Sequence, residues 1–196
     1  MYKYFFKRLL DVMIALSVLP FVLLVIIIFG LIIYLTDKGP IFYNAERVGR
    51  NFKTFKMYKL RSMRVNAPDI RNADGSTYNS DNDPRVTPIG RFMRKASIDE
   101  VPQFVNVLIG DMSMVGPRPI LPSNDYSSVI EYLQKSIKIK PGITGYNQAY
   151  YRNSVTRIEK YRNDAYYADH VSFFFDIRII WYTVLNVLRN RNINTN

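Results

Sequence analysis

The chain has 196 residues, and 27 Lys plus Arg against 16 Asp plus Glu leave it at +11, which is one domain's worth of sequence with a basic surplus. Hydrophobic residues make up 48% of it and aromatics 14%, so it can bury a core and lacks the composition of a disordered chain. No Cys and a single His, His170, exclude disulfides, thiolate zinc sites and a cysteine nucleophile, and no G-x-G-x-x-G or Walker A motif is present.

The first element decides what the charge surplus means. From Val12 to Thr36 no charged side chain interrupts a run of Val, Leu, Ile and Phe, long enough to enter a bilayer. Lys3, Lys7 and Arg8 precede it, and Lys38, Arg47, Arg50, Lys53, Lys56, Lys59, Arg61 and Arg64 follow. A signal peptide has a shorter apolar core and a small-residue cleavage site, and neither occurs here. A single spanning helix should carry its positive charge mainly on one side. Pro20 falls inside the run, where it removes a backbone hydrogen bond and favours a kink. A re-entrant helix–break–helix turning at Pro20 would place both basic flanks on the cytoplasmic face, and the two-sided charge favours it over the spanning form.

The remainder reads as a small, mainly helical α+β unit against that membrane. Residues 1–36 are expected to form the membrane segment and 37–196 a cytoplasmic-face catalytic domain, together one functional unit. Ile41–Tyr43 and Phe52–Leu60 are expected as a short β-hairpin turning through Gly49, Arg50 and Asn51. Asn66–Pro88 is polar and turn-rich and is expected to be a mobile loop. Helices are expected over Ser97–Leu108, closed by Gly110, over Asp125–Ile139, and from Ser154 toward Tyr167. Ser172–Arg189 is apolar nearly all round and should pack in the core or lie in the membrane interface.

Chemistry should concentrate between Arg94 and Pro119. Ser97-Ile98-Asp99-Glu100 has the form of a capping box, which accounts for Ser97 and Glu100 but does not require an acid at Asp99. A carboxylate in a first helical turn stays ionised, and can hold a divalent cation or attack phosphorus. Arg118, fixed between Pro117 and Pro119, is either a solvated surface turn or a phosphate fork. Gly116 leaves room for a ligand or another backbone. Pro141–Gly145 either receives a nucleotide or simply connects two elements. Asp81-Asn82-Asp83 is the rival metal site of a glycosyltransferase releasing UDP, although Asp83-Pro84 is more simply a turn. A non-catalytic, membrane-anchored basic binding protein would explain the charge alone. His170 reads as a structural or surface residue.

Several motifs in order carry a resemblance: the basic start and Pro-broken apolar run, Tyr58-Lys59-Leu60-Arg61-Ser62-Met63, Ser97-Ile98-Asp99-Glu100, Asn106-Val107-Leu108-Ile109-Gly110-Asp111-Met112-Ser113, Val115-Gly116-Pro117-Arg118-Pro119, and Lys140-Pro141-Gly142-Ile143-Thr144-Gly145. Nearly end to end, the chain resembles the monotopic phosphoglycosyl transferases, also called bacterial sugar transferases. The resemblance implies an enzyme at the cytoplasmic face of the bacterial inner membrane. It would move sugar 1-phosphate from a UDP-sugar to undecaprenyl phosphate, release UMP, and so begin glycan assembly. It implies Asp99 as nucleophile and Mg²⁺ ligand, Glu100 as its catalytic partner, and Arg94 and Arg118 on phosphate oxygens. Lys59, Arg61 and Arg152 become candidate substrate contacts. Nucleic acid is not an implied partner, and the oligomeric state stays open, a homodimer included. Two positions depart from the family's pattern. Leu19-Pro20 stands where relatives often have Ser-Pro, with Ser17 near enough to bond a freed carbonyl, and Tyr150-Tyr151 precede Arg152 where they often have Asn-Gly.

Overall fold

The computed structural model describes residues 2–70, 78, 80, 82–122, 125–151 and 154–189. A π-helical turn, Tyr2–Phe6, runs into α1, Lys7–Asp37. Its 31 residues extend roughly 46 Å at the helical rise. By length and composition this is the one described helix able to cross a membrane.

Pro20 lies inside α1 without interrupting it, so the break expected there is not seen as a gap in the helix. A proline withdraws one N–H, and the rest of the ladder still holds the two halves together. The Ser17 hydroxyl donates to the Ile14 carbonyl at 2.8 Å. It therefore does not serve the Leu16 carbonyl, the one that Pro20 leaves without its i+4 donor.

One stripe of α1, comprising Asp11, Ala15, Val22, Val25, Gly30 and Ile33, is buried, whereas Leu9, Met13, Phe21, Leu24, Ile27, Leu31 and Leu35 are exposed. The stripe builds two core clusters with the rest of the chain. Ala15 packs with Ala45, Met57, Val107 and Met112, and Val25 and Ile33 pack with Leu60 and Met93. Both ends are also tied down. Lys7 Nζ meets Asp176 at 2.5 Å, and Asp37 at the far end receives the Arg61 guanidinium at 2.5 and 2.6 Å.

The hairpin is present, shifted along the sequence. β1, Ala45–Val48, pairs antiparallel with β2, Thr54–Met57, with Ala45 opposite Met57 and Val48 opposite Thr54. Arg50–Phe52 forms a tight turn in which Asn51 and Phe52 both have positive φ, and that turn removes Phe52 from the strand. Ile41–Tyr43 does not form the first strand, although Phe42 bridges Leu60 beyond the hairpin.

A second sheet was not legible from sequence. β3, Ser113–Val115, runs parallel to β4, Gly142–Thr144, so the Pro141–Gly145 stretch is a strand and its flanks. Gly116 and Gly142 are glycines because the two backbones touch there: a Cβ on Gly142 would lie 2.1 Å from the Gly116 nitrogen. Of the two occupants anticipated at Gly116, a ligand or another backbone, it is backbone that approaches: a Cβ there would lie 2.3 Å from the Lys140 carbonyl oxygen.

Six further helices among the described residues cover this frame. α2, Pro88–Lys95, was not anticipated. The helix expected over Ser97–Leu108 divides into a 3-10 turn, Ile98–Glu100, and α3, Gln103–Ile109, which Gly110 closes at φ 98° as expected. Asp125–Ile139 reduces to a short turn and α4, Ile130–Ser136. α5, Tyr146–Tyr150, was also unanticipated.

α6, Arg157–Asp169, starts at a capping box formed by Thr156 and Glu159. α7, Phe173–Leu188, is capped by Ser172 and matches its expected span. A third core cluster, Val115, Ala149, Tyr167 and Ile179, joins β3 to α5, α6 and α7. The outward side of α7 carries Phe174, Ile177, Trp181, Val184 and Leu188, all exposed and spaced three and four apart.

Candidate functional site

The Asp99–Glu100 pair sits on the 3-10 turn between α2 and α3. The capping box read from Ser97 and Glu100 does not form. Ser97 takes a left-handed conformation with no side-chain cap, and Glu100 turns to Lys59, whose Nζ donates to its Oε1 at 2.6 Å. Both carboxylates are thereby freed from helix capping. Asp99 is 7% exposed, and Lys59 Nζ stands 3.8 Å from its Oδ2.

Lys59 is delivered by an extended segment held on both edges. Tyr43 N–H donates to the Lys59 carbonyl and Arg61 N–H to the Ile41 carbonyl, each at 2.9 Å, while Leu60 N–H donates to the Asp99 carbonyl at 3.0 Å. The segment and the acidic turn are therefore fixed to each other by backbone. Fully buried Asn106, on α3, locks the same strand: its Oδ1 accepts from Tyr58 N–H at 2.9 Å and its Nδ2 donates to the Lys56 carbonyl at 2.8 Å. The sequence marked Asn106 only as part of a motif. An amide that must both accept and donate inside a core is the physical signal behind it.

Arg94 reaches the pair from α2. Thr87 caps this helix by accepting Gly90 N–H at 3.0 Å, and Gly90 packs so closely on the Ser62 carbonyl that a Cβ would lie 1.9 Å from it. That approach lets Arg94 Nε donate to Ser62 Oγ at 2.9 Å. Burial pushes the Arg94 guanidinium below its ordinary pKa, and the charge of Asp99 is the strongest influence opposing that shift.

Arg118 is exposed between its two prolines, and its cation is near enough to help hold Glu100 ionised. Its backbone N–H donates to Asp164, a buried carboxylate on α6 that also accepts from Asn147 Nδ2 at 2.8 Å. Burial pushes the Asp164 carboxyl up to about 7, against the pull of Asn147, of the Arg118 backbone and side chain, and of Lys160. Sequence reading missed Asp164 because nothing in the pattern of α6 marks it as buried.

The electrostatics separate the two acids. Burial raises the Asp99 pKa and the neighbouring Glu100 charge adds to the shift, with Lys59 and Arg94 opposing. For Glu100 burial acts upward too, but Lys59, Arg118 and Arg94 outweigh it and hold the group below its ordinary value. Glu100 is thus the readily ionised partner. Asp99 is a partly desolvated, more basic carboxylate whose charge is stabilised by adjacent cations, a combination suited to nucleophilic attack on an anionic phosphoryl group.

The other expected residues fall elsewhere. Arg61 is buried and committed to Asp37 and to the Pro40 carbonyl. It anchors the end of α1, because the carboxylate at the close of that helix takes both of its terminal nitrogens. Arg152 lies outside the described residues. Asp83 is fully buried and held by Arg85 at 2.7 Å, which removes it from the rival metal site; Asp81 lies outside the described residues. His170 is exposed and stacks on Tyr166 with ring centres 4.1 Å apart.

No group of three or more His, Asp or Glu among the described residues is placed to hold a metal. Asp99 with Glu100 suits Mg²⁺ nonetheless, since that ion is usually held by one or two carboxylates together with substrate phosphate oxygens.

The sequence model of the family described as bacterial sugar transferase matches residues 2–190. Galactosyl transferase CpsE of Streptococcus agalactiae is 43% identical over 161 residues, which cover 78% of this chain and 35% of that protein. The UDP-glucose:undecaprenyl-phosphate glucose-1-phosphate transferase of Escherichia coli is 37% identical over 192 residues, 94% of this chain and 40% of that protein. The uncharacterized sugar transferase EpsL of Bacillus subtilis is 38% identical over 190 residues, 95% of this chain and 89% of that protein. The chain therefore spans well under half the length of the first two and most of the third.

Proposed function

Because the chain belongs to the bacterial sugar transferase family, we propose that it transfers sugar 1-phosphate from a UDP-sugar to undecaprenyl phosphate and releases UMP. The observation that carries this reading is the buried Asp99 carboxylate, influenced by the Lys59 and Arg94 cations and set beside an ionised Glu100 that Arg118 helps to hold charged. A relative covering nearly all of this chain bears the name of that reaction for glucose 1-phosphate.

In the first half-reaction an Asp99 carboxylate oxygen attacks the sugar-linked phosphorus. The bond from that phosphorus to the bridging diphosphate oxygen breaks, and UMP leaves with the electron pair. Asp99 then carries the phosphosugar as an acyl phosphate. In the second half, a phosphate oxygen of undecaprenyl phosphate attacks the same phosphorus and expels the Asp99 carboxylate, giving a polyprenyl diphosphate sugar. Arg94 and Arg118 bind phosphate oxygens and stabilise the charge that develops in both steps. Lys59 holds Glu100 ionised and shields Asp99 from it. Mg²⁺, held by Asp99 with support from Glu100, would offset the charge of the diphosphate.

The acceptor is a membrane lipid, and the attachment of α1 at both ends fits that requirement. Its two ends are bonded to the same body, through Lys7 to Asp176 and through Asp37 to Arg61. A helix spanning the bilayer would carry those ends to opposite sides. We therefore assign a monotopic placement at the cytoplasmic face, both ends of α1 staying on one side of the bilayer, with the apolar outer side of α1 and the Phe174–Leu188 face of α7 in lipid.

Incubation of purified protein with labelled UDP-sugars, Mg²⁺ and undecaprenyl phosphate, with nucleotide products resolved, tests the reaction. UMP should accumulate, and Asp99→Asn should stop it. Release of UDP, or normal turnover by Asp99→Asn, would overturn the proposal.

A further inference from the structure

The corner where α1 begins holds cations for which the transfer reaction has no use. Arg8 donates to the carbonyls of Val107 and Leu108, at 2.5 and 2.8 Å, in the last turn of α3. That helix closes at Gly110, and a Cβ built there would lie 3.4 Å from Arg8 Nη2 and 3.4 Å from Lys140 Nζ. The two head groups thus converge on one point, one arriving from α1 and the other from the segment that enters β4.

Arg8 has carbonyl dipoles to satisfy it. Lys140 is half-buried, and among the described residues it has no hydrogen-bond or ion-pair partner. Burial pushes its ammonium below the ordinary value; Arg8 and Arg50 push the same way, and Asp11 and Asp111 oppose them. A partly desolvated cation beside another cation is stabilised by any anion that enters between them. This point is also separated from Asp99 by the length of α3, about 10 Å for its seven residues, so it is not the place of the transferred phosphate.

The surroundings identify the anion. Leu9 follows Arg8 at the start of the helix assigned above to the membrane, Met13 lies one turn further along the same side of that helix, and Ile109 precedes Gly110 on α3; the three are exposed by 48, 57 and 59%. A free phosphate would need only the cations, whereas these side chains present an apolar wall. We infer that Arg8 and Lys140 bind the phosphate of an anionic phospholipid headgroup, whose acyl chains lie along Leu9, Met13 and Ile109. The site rests on the membrane placement proposed for α1, not on the chemistry at Asp99. It gives the protein a preference among bilayers by lipid charge as well as by apolar burial.

Native mass spectrometry of the full chain, released from nanodiscs of phosphatidylcholine with or without phosphatidylglycerol, tests this. The wild type should retain a bound phosphatidylglycerol and no phosphatidylcholine. Lys140→Ala should lose it and Lys140→Arg should keep it. Neither variant should lower the melting temperature or the rate of UMP release in detergent micelles. Equal retention by wild type and Lys140→Ala, retention of both lipids alike, or no retention would overturn the site. Displacement of the lipid by millimolar inorganic phosphate would reassign it to a soluble anion. Loss of UMP release in the wild type would instead strike the reaction proposed for Asp99 and leave the lipid measurement readable.

Discussion

Replacing Asp164 by Asn removes a titration without changing the size of the side chain. In the folded protein the carboxyl is buried between Asn147 Nδ2 and the Arg118 backbone N–H, with its pKa raised from 3.8 to about 7. Between those values the folded chain keeps a proton that the unfolded chain has released. Protonation therefore favours the folded state, and this contribution is present at low pH and lost as pH rises through 7. At 1.36 kcal/mol per pH unit, the gap corresponds to about 4 kcal/mol. The unfolding free energy of the wild type, measured against that of Asp164→Asn, should fall by up to that amount between pH 4 and 7.5 and then stay flat. Urea denaturation in detergent micelles, followed by far-UV circular dichroism across this range, gives the difference directly. Parallel stability curves, or a divergence in the opposite sense, would refute the buried titration and with it the anchoring of Arg118 by a carboxyl poised near neutrality.

Removing Lys59 as Lys59→Met should lower kcat by about 10²- to 10³-fold, the scale of one lost charge-stabilising group. It should also move the acidic limb of the pH–rate profile upward, because Lys59 holds the Asp99 pKa down; a limb that does not move would contradict this role. Arg61→Ala should instead destabilise the fold by about 2 kcal/mol through loss of the charge-assisted bonds to Asp37. The folded fraction should retain its kcat, and a fall comparable to that of Lys59→Met would place Arg61 back in the site. Asn106→Ala strands the Tyr58 N–H and the Lys56 carbonyl. It should cost about 3 kcal/mol, read from the denaturation midpoint, and an unchanged midpoint would refute the locking role.

What the sequence displayed and what it hid divide along physical lines. α7 was legible nearly to its ends, because Ser172 caps it and the sixteen residues that follow are mostly apolar, broken early by Asp176 and Arg178. The acidic pair and its arginines stood out in the sequence as candidates, through the motifs that carry the family resemblance rather than through spacing alone. Their mutual placement was not legible. Lys59 and Arg61 stand two apart in one extended segment, yet one reaches Glu100 and the other Asp37, a choice made by partners 41 and 24 residues away. The β3–β4 pairing was hidden because three-residue strands are too short to show alternation, and the Pro and Gly around them signal a turn. Ser97 and Glu100 matched a capping box that a stronger partner, the Lys59 ammonium, took apart. Asp164 and Asn106 gain their meaning only from burial, which a single sequence does not display.

The central claim is that Asp99 carries the phosphosugar between donor and acceptor. Incubation of the protein with Mg²⁺ and a UDP-sugar labelled on the sugar, without lipid acceptor, should give one phosphosugar per active chain. Proteolysis and mass spectrometry should find it on the peptide containing Asp99, and added undecaprenyl phosphate should chase it off. UMP formation with no adduct, or an adduct on a different residue, would contradict the account.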